Sequence, residues 1–297
     1  MTALRALLAG VIDYAGLYPP AGLDMEAAVR NYGSYRADDN AWMLGRFVVP
    51  VARLTELSDA LQSRWGSDGS EEPEWRISAI AGADCERDIA AASAFNDVHR
   101  GQASIDSLEA RLPTESAITA AAALAAQSSF ALFAEVAADP DPAEAIAAVK
   151  RTGISAKIRT GGVTPDAFLP PETVVRFVRR CIDAGVRFKA TAGLHHPMPG
   201  EYPMTYETGS PVAAMQGYLN VLLATGFMTQ GMLDRDAVTL LGERSPTAFG
   251  ITPSAISWGD FRITAIQLRR IRGDGAVSFG SCSFSEPVDE LRALTLL

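Results

Sequence analysis

Eight short segments rich in β-branched and aromatic residues recur along this chain, and a stretch with helical pattern follows nearly every one. They are residues 10–14 (GVIDY), 45–51 (GRFVVPV), 75–81 (WRISAIA), 104–111 (SIDSLEAR), 131–136 (ALFAEV), 155–161 (SAKIRTG), 186–193 (VRFKATAG) and 276–284 (AVSFGSCSF). Short apolar strands separated by helices imply parallel pairing through crossovers. Eight such units in 297 residues predict one (β/α)8 TIM barrel that spans residues 1–297 as a single domain. An open doubly wound sheet is the alternative, but no GxGxxG follows the first segment. The helices are well punctuated: Pro171 opens one and Gly185 closes it, with Val174, Val175, Val178, Cys181 and Ile182 on one face. Residues 197–275 exceed what one crossover needs and predict an enlarged segment between the last two strands, either a lid on the barrel mouth or a subunit contact in a homo-oligomer. Helices are expected there near 218–224, 234–241 and 264–272, with 236–241 readable as a strand instead. Residues 66–74 (GSDGSEEPE) read as a surface loop.

Charge narrows the possible partners. Lys and Arg number 26 against 35 Asp and Glu, a net charge of −9. Such a surface disfavours nucleic acid and anionic membranes. A small anion remains acceptable, because a local basic pocket can oppose the global sign. The three cysteines, Cys85, Cys181 and Cys282, are far apart and form no CxxC. Neither a disulfide framework nor a zinc knuckle is indicated, as expected of a reducing cytoplasm. The opening residues 1–16 are too short an apolar run to span a membrane, and they show no clear signal-peptide cleavage site.

Strand side chains alternate between barrel interior and helix layer, and chemistry collects at the C-terminal strand ends. Lys157 and Arg159 therefore share one face of the sixth strand, and Lys189 and Thr191 one face of the seventh. Two lysines inside adjacent strands are not solvated surface charge. They are either structural ion pairs with Glu135, Glu109 or Asp106, or a pair of amines at work. Amines so placed suit imine catalysis. A neighbouring ammonium and a dry wall are expected to lower the pKa of Lys157, so that it can attack a carbonyl while Lys189 supplies charge and moves protons.

In order, the segments VIDYAGLYPPA, FVVPVARL, SIDSLEARL, AKIRTGG, FKATAG and SFGSCS resemble the strand-end motifs of class I (Schiff-base) aldolase barrels, the 2-deoxyribose-5-phosphate aldolases in particular. The resemblance covers most of the chain outside residues 197–275. It implies that Lys157 forms the Schiff base, that Lys189 assists, and that Asp106 belongs to a proton relay. It also implies that Gly161, Gly193 and Ser283 cradle a phosphate. Arg159 stands where those aldolases have a small residue, Gly162 where they have a phosphate-side lysine, and Cys282 where they have a serine. The chain also ends in leucines, without their C-terminal tyrosine.

Two of the three histidines, His195 and His196, follow the seventh strand. At a strand-to-loop turn both can reach a site, His195 for acid–base work and His196 for substrate. Metal ligation would need carboxylates, which Glu135 and Glu243 could supply for a metal-assisted lyase or isomerase; Glu135 otherwise belongs with the catalytic groups. His99, in a polar helix end, reads as a surface residue. Tyr14 at the end of the first strand could polarise a carbonyl oxygen or simply pack. Ser281 and Ser283 add donors near Gly161, Gly162 and Gly193, and Cys282 reads as a packing residue. Arg159, without an acidic neighbour in sequence, points to an anionic group on the substrate. Together these features predict an aldolase-type carbon–carbon lyase acting on a small hydroxy-carbonyl compound through an imine on Lys157, with no cofactor and no bound metal. A metal-assisted enzyme and a non-catalytic sugar-phosphate-binding barrel are the rivals.

Overall fold

The computed structural model describes residues 1–66 and 72–297; the expected loop over residues 66–74 therefore lies largely outside the described residues. Eight strands close into a parallel barrel: β1 (Ile12–Tyr14), β2 (Leu44–Pro50), β3 (Trp75–Ile80), β4 (Ala103–Arg111), β5 (Ala131–Glu135), β6 (Ser155–Arg159), β7 (Phe188–Thr191) and, after the long insertion, β13 (Ala276–Ser281). Each pairs with its sequence neighbours, and β13 closes the ring between β7 and β1. Each lies within a few residues of its expected bounds.

Around the barrel run α2 (Met25–Arg36), α3 (Leu54–Trp65), α4 (Cys85–Val98), α5 (Glu115–Ala125), α6 (Ala143–Thr152) and α7 (Pro171–Ala184), preceded by a short α1 (Ala3–Leu8). Local chemistry sets their ends. Asp24 accepts a hydrogen bond from the Ala27 amide at the start of α2, at 2.7 Å. Gly185 stops α7 with φ +62°, a backbone conformation that needs no Cβ. The helices bury their apolar stripes on the outward strand faces, as Val174, Val175, Phe177 and Val178 of α7 do. A cluster of Tyr14, Tyr32, Phe47 and Trp75 fills the layer between α2 and the first three strands.

The insertion between β7 and β13 is more elaborate than three helices. It starts with an antiparallel hairpin, β8 (Gly200–Pro203) and β9 (Val212–Met215). Helix α8 (Tyr218–Met228) follows, buried on every side, and then α9 (Asp234–Leu241). The segment at 236–241 is thus helix, not strand. A three-stranded antiparallel sheet, β10 (Phe249–Ile251), β11 (Ala255–Trp258) and β12 (Phe261–Thr264), precedes α10 (Ala265–Asp274), which Thr264 and Gln267 start with a capping box. Helix α8 takes the layer position between β7 and β13, with α7, α9 and α10 packed around it. Helix α11 (Ser285–Ala293) ends the fold. Among the described residues no helix is long and apolar enough to cross a membrane.

Candidate active site

The register across β5, β6 and β7 sets Glu135, Lys157 and Lys189 side by side. In a parallel sheet such neighbours project to the same side, here the barrel interior. Both lysines are buried, and their ammonium groups are embedded in carboxylates. Lys157 Nζ lies 2.8 Å from Glu109 Oε2 and 2.8 Å from Glu135 Oε2. Lys189 Nζ donates to Asp13 Oδ2 at 2.7 Å and to Glu109 Oε1 at 2.5 Å. Glu109 thus bridges the two amines. Hydroxyl groups complete the network: Ser78 Oγ donates to Glu109 Oε1 at 2.7 Å, and Ser278 Oγ donates to Asp13 Oδ2 at 2.7 Å. The face of Phe133 lies 5.5 Å from Lys189 Nζ.

These contacts overturn the expectation of a lowered Lys157 pKa. Burial disfavours the ammonium, but Glu109 and Glu135 outweigh it, and the pKa of Lys157 is raised. Burial likewise opposes ionisation of Glu109, yet Lys157 and Lys189 hold its carboxyl far below the ordinary range. Asp13 behaves the same way beside Lys189 and Arg46.

A cavity of about 160 Å³ opens over this network at the C-terminal ends of the strands, lined by Glu109, Lys157 and Lys189. Its walls also include Arg159, Gly162, Thr191, Gly193, His195 and His196. Arg159 donates from Nε to the Gly161 carbonyl at 3.0 Å and, among the described residues, pairs with no carboxylate. The hairpin β8–β9 covers one side with Met204, Tyr206 and Met215, so this part of the insertion roofs the mouth.

Several expected site residues lie elsewhere. Asp106 is the extra residue of a β-bulge in β4, where Ile105 and Ser107 pair with the consecutive residues Ile77 and Ser78. Its carboxylate pairs with Arg46 and Arg76 toward the N-terminal end of the barrel. Glu109, three residues on, holds the position that Asp106 was expected to fill. Tyr14 points into the helix layer against Tyr32, Tyr35 and Phe47, and Asn31 Nδ2 donates to its hydroxyl at 3.4 Å. Tyr18 lines the cavity instead, its hydroxyl buried and without a hydrogen-bond partner among the described residues. Gly161 packs rather than cradles: a Cβ there would meet Phe168 at 2.7 Å and the Gly193 backbone at 3.0 Å. Ser283 Oγ accepts from the Glu286 amide at the start of α11. Ser281 Oγ lies 3.2 Å from His195 Nδ1, behind the cavity wall. Glu243 accepts hydrogen bonds from the Ser245 amide and Trp258 Nε1, so it does not join His195, His196 and Glu135 as a metal ligand. His99 is buried, with Ser58 Oγ 2.8 Å from its Nε2, rather than exposed. Cys282 is a buried wall residue whose thiol burial pushes up.

His195 is the histidine whose charge the site controls. Burial, helped by His196, lowers its pKa to about 4. It is therefore neutral at neutral pH. An NMR titration of its ring is expected to give a midpoint near 4. A midpoint near 6.5 would show that the ring is solvated and the mouth open.

No protein-family model and no curated protein matches this chain. Among solved structures, the chain is similar to a crystal structure of atrazine chlorohydrolase from Arthrobacter aurescens complexed with zinc. The identity is 13%, the match covers 63% of this chain and 54% of that one, and the TM-score is 0.32. The chain thus spans about half the length of that protein.

Proposed function

We propose that this barrel is a carbon–carbon lyase of the Schiff-base type, acting on a small hydroxy-carbonyl substrate through an imine on Lys157. One observation carries the reading: Lys157 Nζ is held at the floor of the cavity between two carboxylates, each 2.8 Å away. Condensation of an alkylammonium with a carbonyl gives a protonated imine and water. The charge at Nζ is the same before and after. The carboxylates that stabilise the ammonium therefore stabilise the iminium equally, and the raised pKa does not oppose the product. It opposes only the attack, when the amine must be neutral. Glu135, partly exposed, can take the proton at that moment and return it to the leaving hydroxyl. The iminium then accepts the electron pair of the breaking carbon–carbon bond once a carboxylate removes the proton of the β-hydroxyl. Tyr18, whose hydroxyl has no hydrogen-bond partner among the described residues, is positioned to donate to a substrate oxygen.

Residue usage supports the same reading. The chain has only three lysines, Lys150, Lys157 and Lys189, among 26 basic residues. Two of the three are in this network. Among the described residues arginine makes the salt bridges elsewhere, apart from those of His195 and His196, and it would serve a purely structural pair as well. An amine is needed where a proton must leave. Sodium borohydride reduction in the presence of small aldehydes and ketones tests the proposal: a covalent mass increase of one carbonyl fragment is expected, and none should form without the reductant.

Arg159 supports an anionic substrate, because it stands exposed at the cavity rim, without a carboxylate partner among the described residues. A charge-assisted bond is worth about 1.5–3 kcal/mol, so Arg159→Met is expected to weaken binding of a phosphorylated or carboxylated substrate on the order of ten-fold to a hundred-fold. A neutral analogue should lose little. Equal losses for both would place Arg159 in the architecture rather than in recognition.

A further inference from the structure

We propose that His196, Glu286 and Glu290 form a divalent-cation site at the rim of the cavity, suited to zinc, manganese or cobalt and open toward the substrate. The three residues offer one nitrogen and two carboxylate donors, all within 4.8 Å of one another. His196 Nδ1 and Glu290 Oε1 are already 2.7 Å apart. Ligand atoms around a tetrahedral ion with bonds of about 2.0–2.2 Å stand roughly 3.3–3.6 Å from each other, so the pair need open by less than about 1 Å to admit the ion. A mixed nitrogen and carboxylate set suits these borderline metals better than calcium or magnesium, which take oxygen alone.

Two further features favour a cation here. Glu286 and Glu290 are four residues apart on α11 and so share one helix face. Among the described residues neither has a Lys or Arg partner; their only ion-pair partners are His195 and His196. Two converging carboxylates beside a cavity thus lack a permanent counter-charge. The histidine is also held in place as a ligand must be. Its ring stacks on Tyr202 with centroids 3.4 Å apart and planes at 13°, and the Tyr202 hydroxyl donates to the Met198 carbonyl at 3.0 Å. Tyr206 donates to Glu286 Oε2 at 3.1 Å, fixing that carboxylate from the other side. Three protein ligands would leave at least one coordination position, and His196 and Glu286 both line the cavity, so that position faces the substrate. A metal there would bind a substrate hydroxyl or anionic group.

The site does not depend on the imine. The test is titration of chelator-stripped full-length protein with Co²⁺, read by visible absorption, with Zn²⁺ as competitor. One saturable equivalent is expected, displaced by Zn²⁺. Glu286→Gln and Glu290→Gln keep size and shape, and each should weaken binding by at least roughly ten-fold with thermal unfolding unchanged or raised. Absence of a saturable Co²⁺ signal, or equal affinity in wild type and both variants, would overturn the site. Borohydride trapping of the same stripped protein reads the lysine chemistry separately, so failure of one proposal leaves the other legible.

Discussion

Lys189→Met is expected to lower the stability of the fold by about 3–5 kcal/mol, the usual cost of breaking a buried charge pair from one side. For a chain of this size that is on the order of 10 °C in Tm. Methionine fills nearly the same volume, so the loss is electrostatic rather than a cavity effect. In the native barrel the ammonium of Lys189, 1% exposed, meets Asp13 and Glu109, which are 0% and 1% exposed. Removing it leaves Asp13, Glu109 and Glu135 with Lys157 as the one remaining ammonium of the network. The sign with pH follows from the same contacts. Asp13 and Glu109 have pKa values held below their ordinary 3.8 and 4.5. Their stabilisation is complete above those ordinary values and is lost as pH falls through the lower native ones. Without Lys189, only Arg46 opposes burial at Asp13 and only Lys157 at Glu109, so the folded variant is expected to take up a proton at higher pH and to recover relative stability in acid. Denaturant unfolding at pH 7.5 and near pH 4.5 should therefore show a gap that narrows with acidity. A deficit under about 1 kcal/mol, or one independent of pH, would contradict the assignment of Lys189 to a closed charge network.

The barrel was legible because each strand is a short β-branched or aromatic run bounded by turn residues, and because helix ends carry local signals such as Pro171 and Gly185. The lysine pair was legible for the same reason: period-two alternation puts Lys157 and Lys189 on one face without knowledge of partners. The partners were harder. Whether Asp106 or Glu109 reaches the lysines depends on a bulge that changes the parity of β4, and no local signal announces it. Position along the strand could have decided the matter, since three residues of rise separate the two by about 10 Å and chemistry sits at the C-terminal end. Tyr14 stands out in the sequence because it ends a strand, yet the loop residue Tyr18 is the one that reaches the mouth. The insertion hid its strands because GEYP and VAAM are too short to show a period. His196 and Glu290 are 94 positions apart and meet only through closure of the barrel. Proton affinity was the largest miss. Two adjacent lysines suggest a lowered pKa for Lys157, but Glu109 and Glu135, which reverse it, come from two other strands.

Lys157 carries the central claim, and its loss is expected to have the largest effect on activity. Lys157→Met should remove carbonyl trapping and turnover altogether, since the other amine of the cavity, Lys189, is 1% exposed and closed in by Asp13 and Glu109, whereas Lys157 meets the partly exposed Glu135. Lys157→Arg should fail as completely, although it keeps the charge for Glu109 and Glu135, because a guanidinium does not give up its proton to attack a carbonyl. This second variant separates chemistry from architecture: a structural role would tolerate it, and a nucleophilic one would not. The small lysine content makes the readout clean, with Lys150, exposed on α6, as the internal control for non-specific modification. The most direct measurement is peptide mapping after borohydride reduction with a reactive carbonyl compound, in wild type and Lys157→Arg side by side. The predicted result is one carbonyl-derived adduct on the peptide that holds Lys157, absent from the variant. An adduct confined to Lys150 or the N-terminus, or one that persists undiminished in Lys157→Arg, would contradict the imine and leave the two buried lysines as structural ion pairs.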